Sequence, residues 1–262
     1  MVRFFRKTRW LTTLVVAQGA FALSACDPVP EPDPEPEVTA LLLKNQTIRS
    51  SAMKREMKYT VWLPEGVEPQ HALPFLYLLH GYGDDQNAWA EKGNLVNIYR
   101  DYVARGGSPM VVVMPDALTT FYVGDYETYL HEELIPQVEQ LYKCNGKRAV
   151  AGLSMGGYGT LYHALKYPAK FTYAYAMSPA TDVKSFKALI DDQSDKNVFP
   201  GFTIEVGTED TTVNNADAES VADYMVEQGL TCEWIARAGI HYWNFWQECL
   251  PKALNKAGES FK

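Results

Sequence analysis

Six short, nearly continuous apolar runs dominate this chain: Pro74–His80, Met110–Met114, Arg148–Leu153, Phe171–Met177, Phe202–Val206 and Cys232–Ala236. Runs this short and this apolar suit strands buried on both faces, the situation of a mostly parallel sheet. Val38–Lys44 and Lys58–Leu63 read as a leading hairpin. Helical patterns fill the gaps at Leu95–Arg105, Tyr126–Tyr142, Gly156–Lys166 and Ala216–Gln228. Trp243–Asn255 closes the chain, with Pro251 expected to kink or split that helix. Strands alternating with helices predict an α/β architecture, a mostly parallel central sheet with helices on both faces. Pro179–Val198 is the one candidate for a small lid.

Apolar residues make up 47% of the chain and charged residues 21%, which excludes a disordered body. The formal net charge is −8, and no long basic run follows the N-terminus, which argues against nucleic acid as the main partner.

The chemistry centres on Gly152-Leu153-Ser154-Met155-Gly156. About one chain in ten of this length carries a G-x-S-x-G by chance, so the pentapeptide alone decides little. Its context decides more. It follows an apolar strand and opens a helix, where a nucleophile elbow lifts a serine out of the sheet edge. The backbone N–H of Met155 would then face a developing oxyanion. That fold demands the chain order serine, acid, histidine. Of the five histidines, His71, His80 and His131 precede the serine and His163 lies in the helix it opens. His241 alone sits well downstream, in a loop between the last strand and the last helix. The acid belongs after the preceding strand, where Asp210 is favoured over its neighbour Glu209. After an early strand, His80-Gly81-Tyr82-Gly83 matches a loop supplying the second oxyanion donor, assigned to the N–H of Tyr82 with Gly81 and Gly83 as alternatives. His80 then shapes that loop and is not the base.

Trp89, Tyr122, Trp243 and Trp246 are candidates for an aromatic cleft; Trp243, beside the presumed base, is the best of them, and Trp89 the second residue assigned to substrate. Core packing is the alternative for each. Cys232 and Cys249 are a candidate disulfide against the alternative of buried free thiols, and no Cys/His spacing suggests a metal. The carboxylates Asp125, Glu127, Glu132 and Glu133 read as an acidic helix start, favoured by the helix dipole, and not as a glycosidase pair.

At the N-terminus, Arg3, Arg6, Lys7 and Arg9 precede a short apolar stretch and then Leu23-Ser24-Ala25-Cys26. These are the parts of an export signal. The tetrapeptide resembles a bacterial lipobox, which implies a signal peptide over 1–25, lipid on Cys26, and a protein exported and anchored to a bacterial membrane, periplasmic or at the cell surface. An ordinary secretory signal is the alternative. Residues 26–37 alternate proline with acid and should form an extended spacer, leaving 38–262 as the catalytic domain.

Together these segments resemble the esterase D / feruloyl esterase-like branch of the α/β-hydrolases, over about residues 50–250. The matching pieces are Tyr59-Thr60-Val61-Trp62-Leu63-Pro64, Tyr77-Leu78-Leu79-His80-Gly81, Glu132-Glu133-Leu134-Ile135-Pro136, Ala151-Gly152-Leu153-Ser154-Met155-Gly156-Gly157-Tyr158-Gly159, Gly207-Thr208-Glu209-Asp210 and Gly239-Ile240-His241-Tyr242-Trp243. In the last, Tyr242 stands where many relatives carry Asp, and Ile240 replaces a common Gly. The resemblance implies hydrolysis of carboxylic esters without metal or organic cofactor, on short-chain or aromatic esters such as acetyl or feruloyl groups of carbohydrates. Acyl transfer to a sugar acceptor and a non-catalytic surface-binding role on the same fold are the competing readings.

Overall fold

The structure, a computed structural model, describes residues 40–64 and 71–262. The expected signal peptide, Cys26 and the spacer at 26–37 lie outside the described residues.

Eight strands form one sheet in the order β1-β2-β4-β3-β5-β6-β7-β8. They are β1 (Ala40–Ser50), β2 (Arg55–Pro64), β3 (Leu73–Leu79), β4 (Val111–Pro115), β5 (Cys144–Leu153), β6 (Tyr173–Met177), β7 (Gly201–Gly207) and β8 (Cys232–Arg237). β1 and β2 form the expected hairpin, and β2 also pairs antiparallel with β4. From β4 to β8 all pairings are parallel. With helices on both faces this is the α/β-hydrolase architecture.

Side chains alternate across the sheet with the strand period of two. Along β3, Phe75, Tyr77 and Leu79 enter one core layer, and Leu76 and Leu78 the other. The first layer is covered by α3 (Asp125–Thr128), α4 (Ile135–Leu141), α5 (Met155–Lys166), α6 (Val183–Asp191) and α7 (Asn215–Glu227). The second is covered by α1 (Ala88–Glu91), α2 (Leu95–Ala104) and α8 (Trp243–Ser260). The chain leaves β3 toward β4 on one side, then crosses back to place β5 on the other. Open α/β sheets bind ligands at such a reversal, beyond the carboxyl ends of the strands.

Four expectations are corrected. The helix expected over Tyr126–Tyr142 is divided: a π-helical turn, Tyr129–Leu134, separates α3 from α4. Pro136, which lacks the N–H an α-helix needs, follows immediately. α8 runs unbroken through Pro251 to Ser260. A proline inside a helix costs about 3 kcal/mol, but Phe245, Trp246, Cys249, Leu250, Ala253, Leu254 and Ala257 form a buried stripe that outweighs it. Pro179–Val198 is no lid. Its helix α6 sends Phe186 and Ile190 into the first core layer, and Phe186 packs on Tyr158 with ring centroids 5.1 Å apart.

The fourth correction concerns sulfur. Cys144, Cys232 and Cys249 are free thiols. Cys249 Sγ accepts from Arg237 at 3.4 Å, at the far end of β8 from Cys232. Five residues of strand separate the two ends by about 16 Å, beyond the reach of a disulfide.

Candidate active site

Ser154 stands between β5 and α5 with φ 53° and ψ −114°, a backbone conformation that L-residues avoid. Its N–H donates to Met177 O (2.9 Å), and its carbonyl accepts from Tyr158 N (2.9 Å) and Ala180 N (3.1 Å). The turn is therefore tied to the end of β6 and the start of α5. It closes because its neighbours lack side chains: a Cβ on Gly157 would stand 2.8 Å from Pro179 Cα.

The loop after β3 lies against this elbow. A Cβ on Gly81 would reach within 2.6 Å of Leu153 Cδ1 and 3.6 Å of Ser154 Cβ. His80 is buried and shapes the loop. Its Nε2 accepts from Ala117 N (2.9 Å), which places the proton on Nδ1, and Nδ1 donates to Gly81 O (2.8 Å). The Gly81–Tyr82 peptide is trans, so fixing its carbonyl turns the Tyr82 N–H the opposite way. Among the described residues neither the Tyr82 N–H nor the Met155 N–H donates to a protein acceptor.

Asp210 follows β7 and His241 follows β8, whose ends pair at Gly207 and Arg237. His241 Nδ1 lies 2.7 Å from Asp210 Oδ2, and the Asp210 carboxylate is buried. Its other oxygen accepts from Thr212 N (2.9 Å) and Val213 N (3.4 Å), so the carboxylate is aimed by its own loop. Glu209 is turned elsewhere: its Oε2 accepts from the Gly239 N–H, and that contact lowers its pKa. It braces the histidine loop and does not touch the imidazole. Trp246 lies edge-on to His241 at 4.9 Å and points its indole N–H at Ser178 Oγ (3.4 Å), one residue beyond the Met177 carbonyl that holds Ser154. The serine and histidine elements thus meet through Trp246. The Ser154 hydroxyl is not hydrogen-bonded to the imidazole here, and such contacts commonly tighten only with substrate bound.

Beneath the histidine loop lies a buried ionic knot. Glu205 on β7 is fully buried and accepts from Arg237 Nε (2.5 Å), Lys252 Nζ (2.7 Å) and Tyr175 Oη. Burial works to raise its pKa, but Lys252, Tyr175 and Arg237 outweigh it and hold the carboxyl below its ordinary value. Arg237 also donates to Phe245 O (3.0 Å) and Ala238 O (3.5 Å), joining the two ends of the loop that carries His241.

The aromatic residues expected to line a cleft divide. Trp89 is 1% exposed and donates through Nε1 to Leu79 O (3.0 Å), so it supports the loop after β3 from behind and has no face to offer a substrate. Tyr122 is likewise buried, its hydroxyl donating to His80 O (2.9 Å). Trp246 is buried too. Trp243 is half-buried between Trp89 and Trp246, with centroids 5.3 and 5.4 Å away. The large apolar side chains that do reach solvent here are others: Tyr82, Phe121, Ile240 and Tyr242. Tyr82 packs on Phe121 (6.1 Å) and Phe121 on Tyr158 (5.7 Å), one turn beyond Ser154. Phe121 is held outward by positive φ at Leu118, Phe121 and Tyr122, a feature no composition signal reveals in the absence of glycine.

The other carboxylates serve packing. Glu127 accepts from Tyr162 (2.7 Å), Tyr167 and Lys166 (2.7 Å), and Glu133 accepts from the Ser51 and Ala52 N–H groups.

Residues 50–257 match the family described as "Putative esterase". An endo-1,4-beta-xylanase/feruloyl esterase of Xylanibacter ruminicola is 29% identical over 80% of this chain, and the match spans 30% of that longer protein. An acetyl esterase of Caldicellulosiruptor saccharolyticus is 23% identical over 70% of this chain and 82% of its own length. Among solved structures, a ferulic acid esterase superposes with a TM-score of 0.77 at 24% identity, covering 86% of this chain and all of that one. The chain belongs to the "Putative esterase" family and has the α/β-hydrolase fold.

Proposed function

We propose that this protein is a serine carboxylic-ester hydrolase that works through an acyl-enzyme on Ser154. The observation that carries this reading is the 2.7 Å contact between His241 Nδ1 and Asp210 Oδ2, at the end of the sheet where Ser154 stands on its elbow. Asp210 holds the imidazole in the tautomer whose Nε2 is free to accept a proton. The ester carbonyl oxygen accepts hydrogen bonds from the N–H groups of Met155 and Tyr82. Ser154 Oγ attacks the carbonyl carbon while His241 takes its proton. The tetrahedral intermediate collapses, and the alcohol leaves with that proton. Water, deprotonated by His241, then attacks the acyl-enzyme and releases the acid and the free serine.

The substrate we assign is a short-chain or aromatic acyl ester of a carbohydrate. Relatives carrying the names feruloyl esterase and acetyl esterase support this class. We further propose that the protein is exported and held on a bacterial membrane by lipid on Cys26, a reading that rests on the Leu23–Cys26 tetrapeptide and the basic, apolar segment before it. No helix among the described residues is long and apolar enough to cross a membrane.

The test is hydrolysis of p-nitrophenyl acetate, methyl ferulate and acetylated xylan by the protein and by Ser154→Ala. Activity abolished in the variant supports the serine mechanism, and the preferred ester identifies the acyl class. Near-full activity in Ser154→Ala contradicts the mechanism.

A further inference from the structure

We propose that Ile240 and Tyr242 form a shelf for the alcohol half of the ester, and that this alcohol is a neutral saccharide ring. The inference rests on the hydrolase reading above and adds the side of the site on which the sugar lies.

Direction comes from the proton. Asp210 occupies Nδ1 of His241, so Nε2 must protonate the leaving oxygen. The alcohol therefore departs on the His241 side, where it meets the residues flanking that histidine. Both are large apolar side chains held in water: Ile240 is 52% exposed and Tyr242 62%. Their backbones are fixed. The Tyr242 N–H donates to Ile240 O (2.8 Å), a three-residue turn with His241 at its apex. The Tyr242 carbonyl accepts from Phe245 N (3.1 Å) and starts α8, while Gly239 on the other side exchanges hydrogen bonds with Glu209. Two exposed apolar side chains on fixed backbone, one on either side of His241, offer a departing group a surface to pack against.

Chemistry selects the occupant. Glu209, exposed beside the shelf, disfavours an anionic alcohol. A quaternary ammonium is ordinarily held in a cage of several rings, whereas Tyr242 offers one open face. A pyranose can lay its C–H face on such a ring and leave its hydroxyls in water.

The experiment compares two acetyl esters that differ only in alcohol, ethyl acetate and acetylated xylotriose, with Tyr242→Ala, Tyr242→Phe and Ile240→Gly. In Tyr242→Ala the ratio of kcat/KM for the sugar ester to that for ethyl acetate falls about tenfold, the scale of one aromatic contact. Tyr242→Phe restores the ratio, and Ile240→Gly lowers it in the same direction. Equal losses on both esters overturn the proposal, because they mean that Tyr242 only holds the histidine loop. A ratio that follows the acyl group, tested with butyryl in place of acetyl, puts the shelf on the wrong side and also overturns it. Wild-type preference for acetylcholine over the sugar ester overturns the saccharide assignment. If the wild type hydrolyses neither these esters nor methyl ferulate, the hydrolase reading falls and the shelf with it, whereas activity with an unchanged ratio removes the shelf alone.

Discussion

A Cβ placed on Gly152 would stand 2.5 Å from the carbonyl oxygen of Gly156, and one on Gly156 would stand 2.5 Å from the carbonyl oxygen of Leu79. The elbow and the end of β3 therefore touch backbone to backbone, and no rotamer change relieves an added methyl. Gly152→Ala and Gly156→Ala are each expected to destabilise the fold by about 1–3 kcal/mol, the usual cost of overpacking, and to reduce ester hydrolysis at least tenfold. Gly146 provides the contrast: its φ is +89°, but nothing crowds its Cβ position. Gly146→Ala should cost about 1 kcal/mol through backbone strain alone and keep its activity. Urea unfolding and kcat/KM on p-nitrophenyl acetate separate the two cases.

Asp210 and Glu209 are adjacent carboxylates with different partners, one on the imidazole and one on the Gly239 N–H. Asp210→Asn should lower kcat by about 10⁴-fold, as expected when the wrong tautomer is favoured. Glu209→Gln, which retains an oxygen acceptor for the Gly239 N–H, should lose less than about tenfold. Comparable losses in the two variants would contradict the assignment.

Removing Glu205 leaves Lys252 beside a buried cavity without its carboxylate, and Arg237 with only the exposed Glu248 (2.7 Å) as a countercharge. Glu205→Ala should destabilise the protein by about 3 kcal/mol, the lower end for a broken buried pair because the heads of Arg237 and Lys252 reach water. Since Arg237 joins both ends of the histidine loop, Arg237→Met should lower kcat more than it raises KM. Chemical denaturation and steady-state kinetics measure these effects.

His131 and His163 are buried against each other, Nε2 to Nδ1 at 3.0 Å. Burial pushes their pKa values down to about 2 and about 4. Below pH 6.5 the unfolded chain binds protons at these positions and the folded chain does not, so acid destabilises the fold. The slope for the pair approaches about 2.7 kcal/mol per pH unit between roughly pH 6 and 4. His163→Gln should remove about half of it. Glu127 acts in a lower window. Burial alone would raise its pKa, but Lys166, Tyr167 and Tyr162 hold it at about 2. Its contribution is present above about pH 4.5 and disappears as pH falls toward 2. Urea unfolding across pH 7 to 3 resolves the two windows.

Much of this arrangement was legible in the residues because burial leaves a simple mark. The six apolar runs all became strands: five are buried, as their density implies, whereas β8, at the edge of the sheet, stays partly exposed along its length. The elbow and the histidine loop could be placed because each sits directly at a strand end. What stayed hidden depends on three-dimensional neighbours. Trp89 looked available for a ligand, but its indole N–H is used by the Leu79 carbonyl. Phe186 and Ile190 anchor α6 in the core, although a segment between loops reads equally well as a lid. The Cys232–Cys249 pairing failed on the length of β8, which sequence spacing does not register. Tyr82 was identified for its backbone N–H and not for its exposed ring, and the exposure of Phe121 depends on backbone angles that no glycine announces.

In the proposed mechanism Ser154 is the nucleophile, activated by His241 and Asp210. The most direct measurement of that role is covalent labelling by a fluorophosphonate, followed by mass spectrometry of the digested protein. One adduct is expected on the peptide carrying Ser154, formed far more slowly in His241→Ala and absent in Ser154→Ala. An adduct on another residue, or labelling undiminished in Ser154→Ala, would contradict the mechanism.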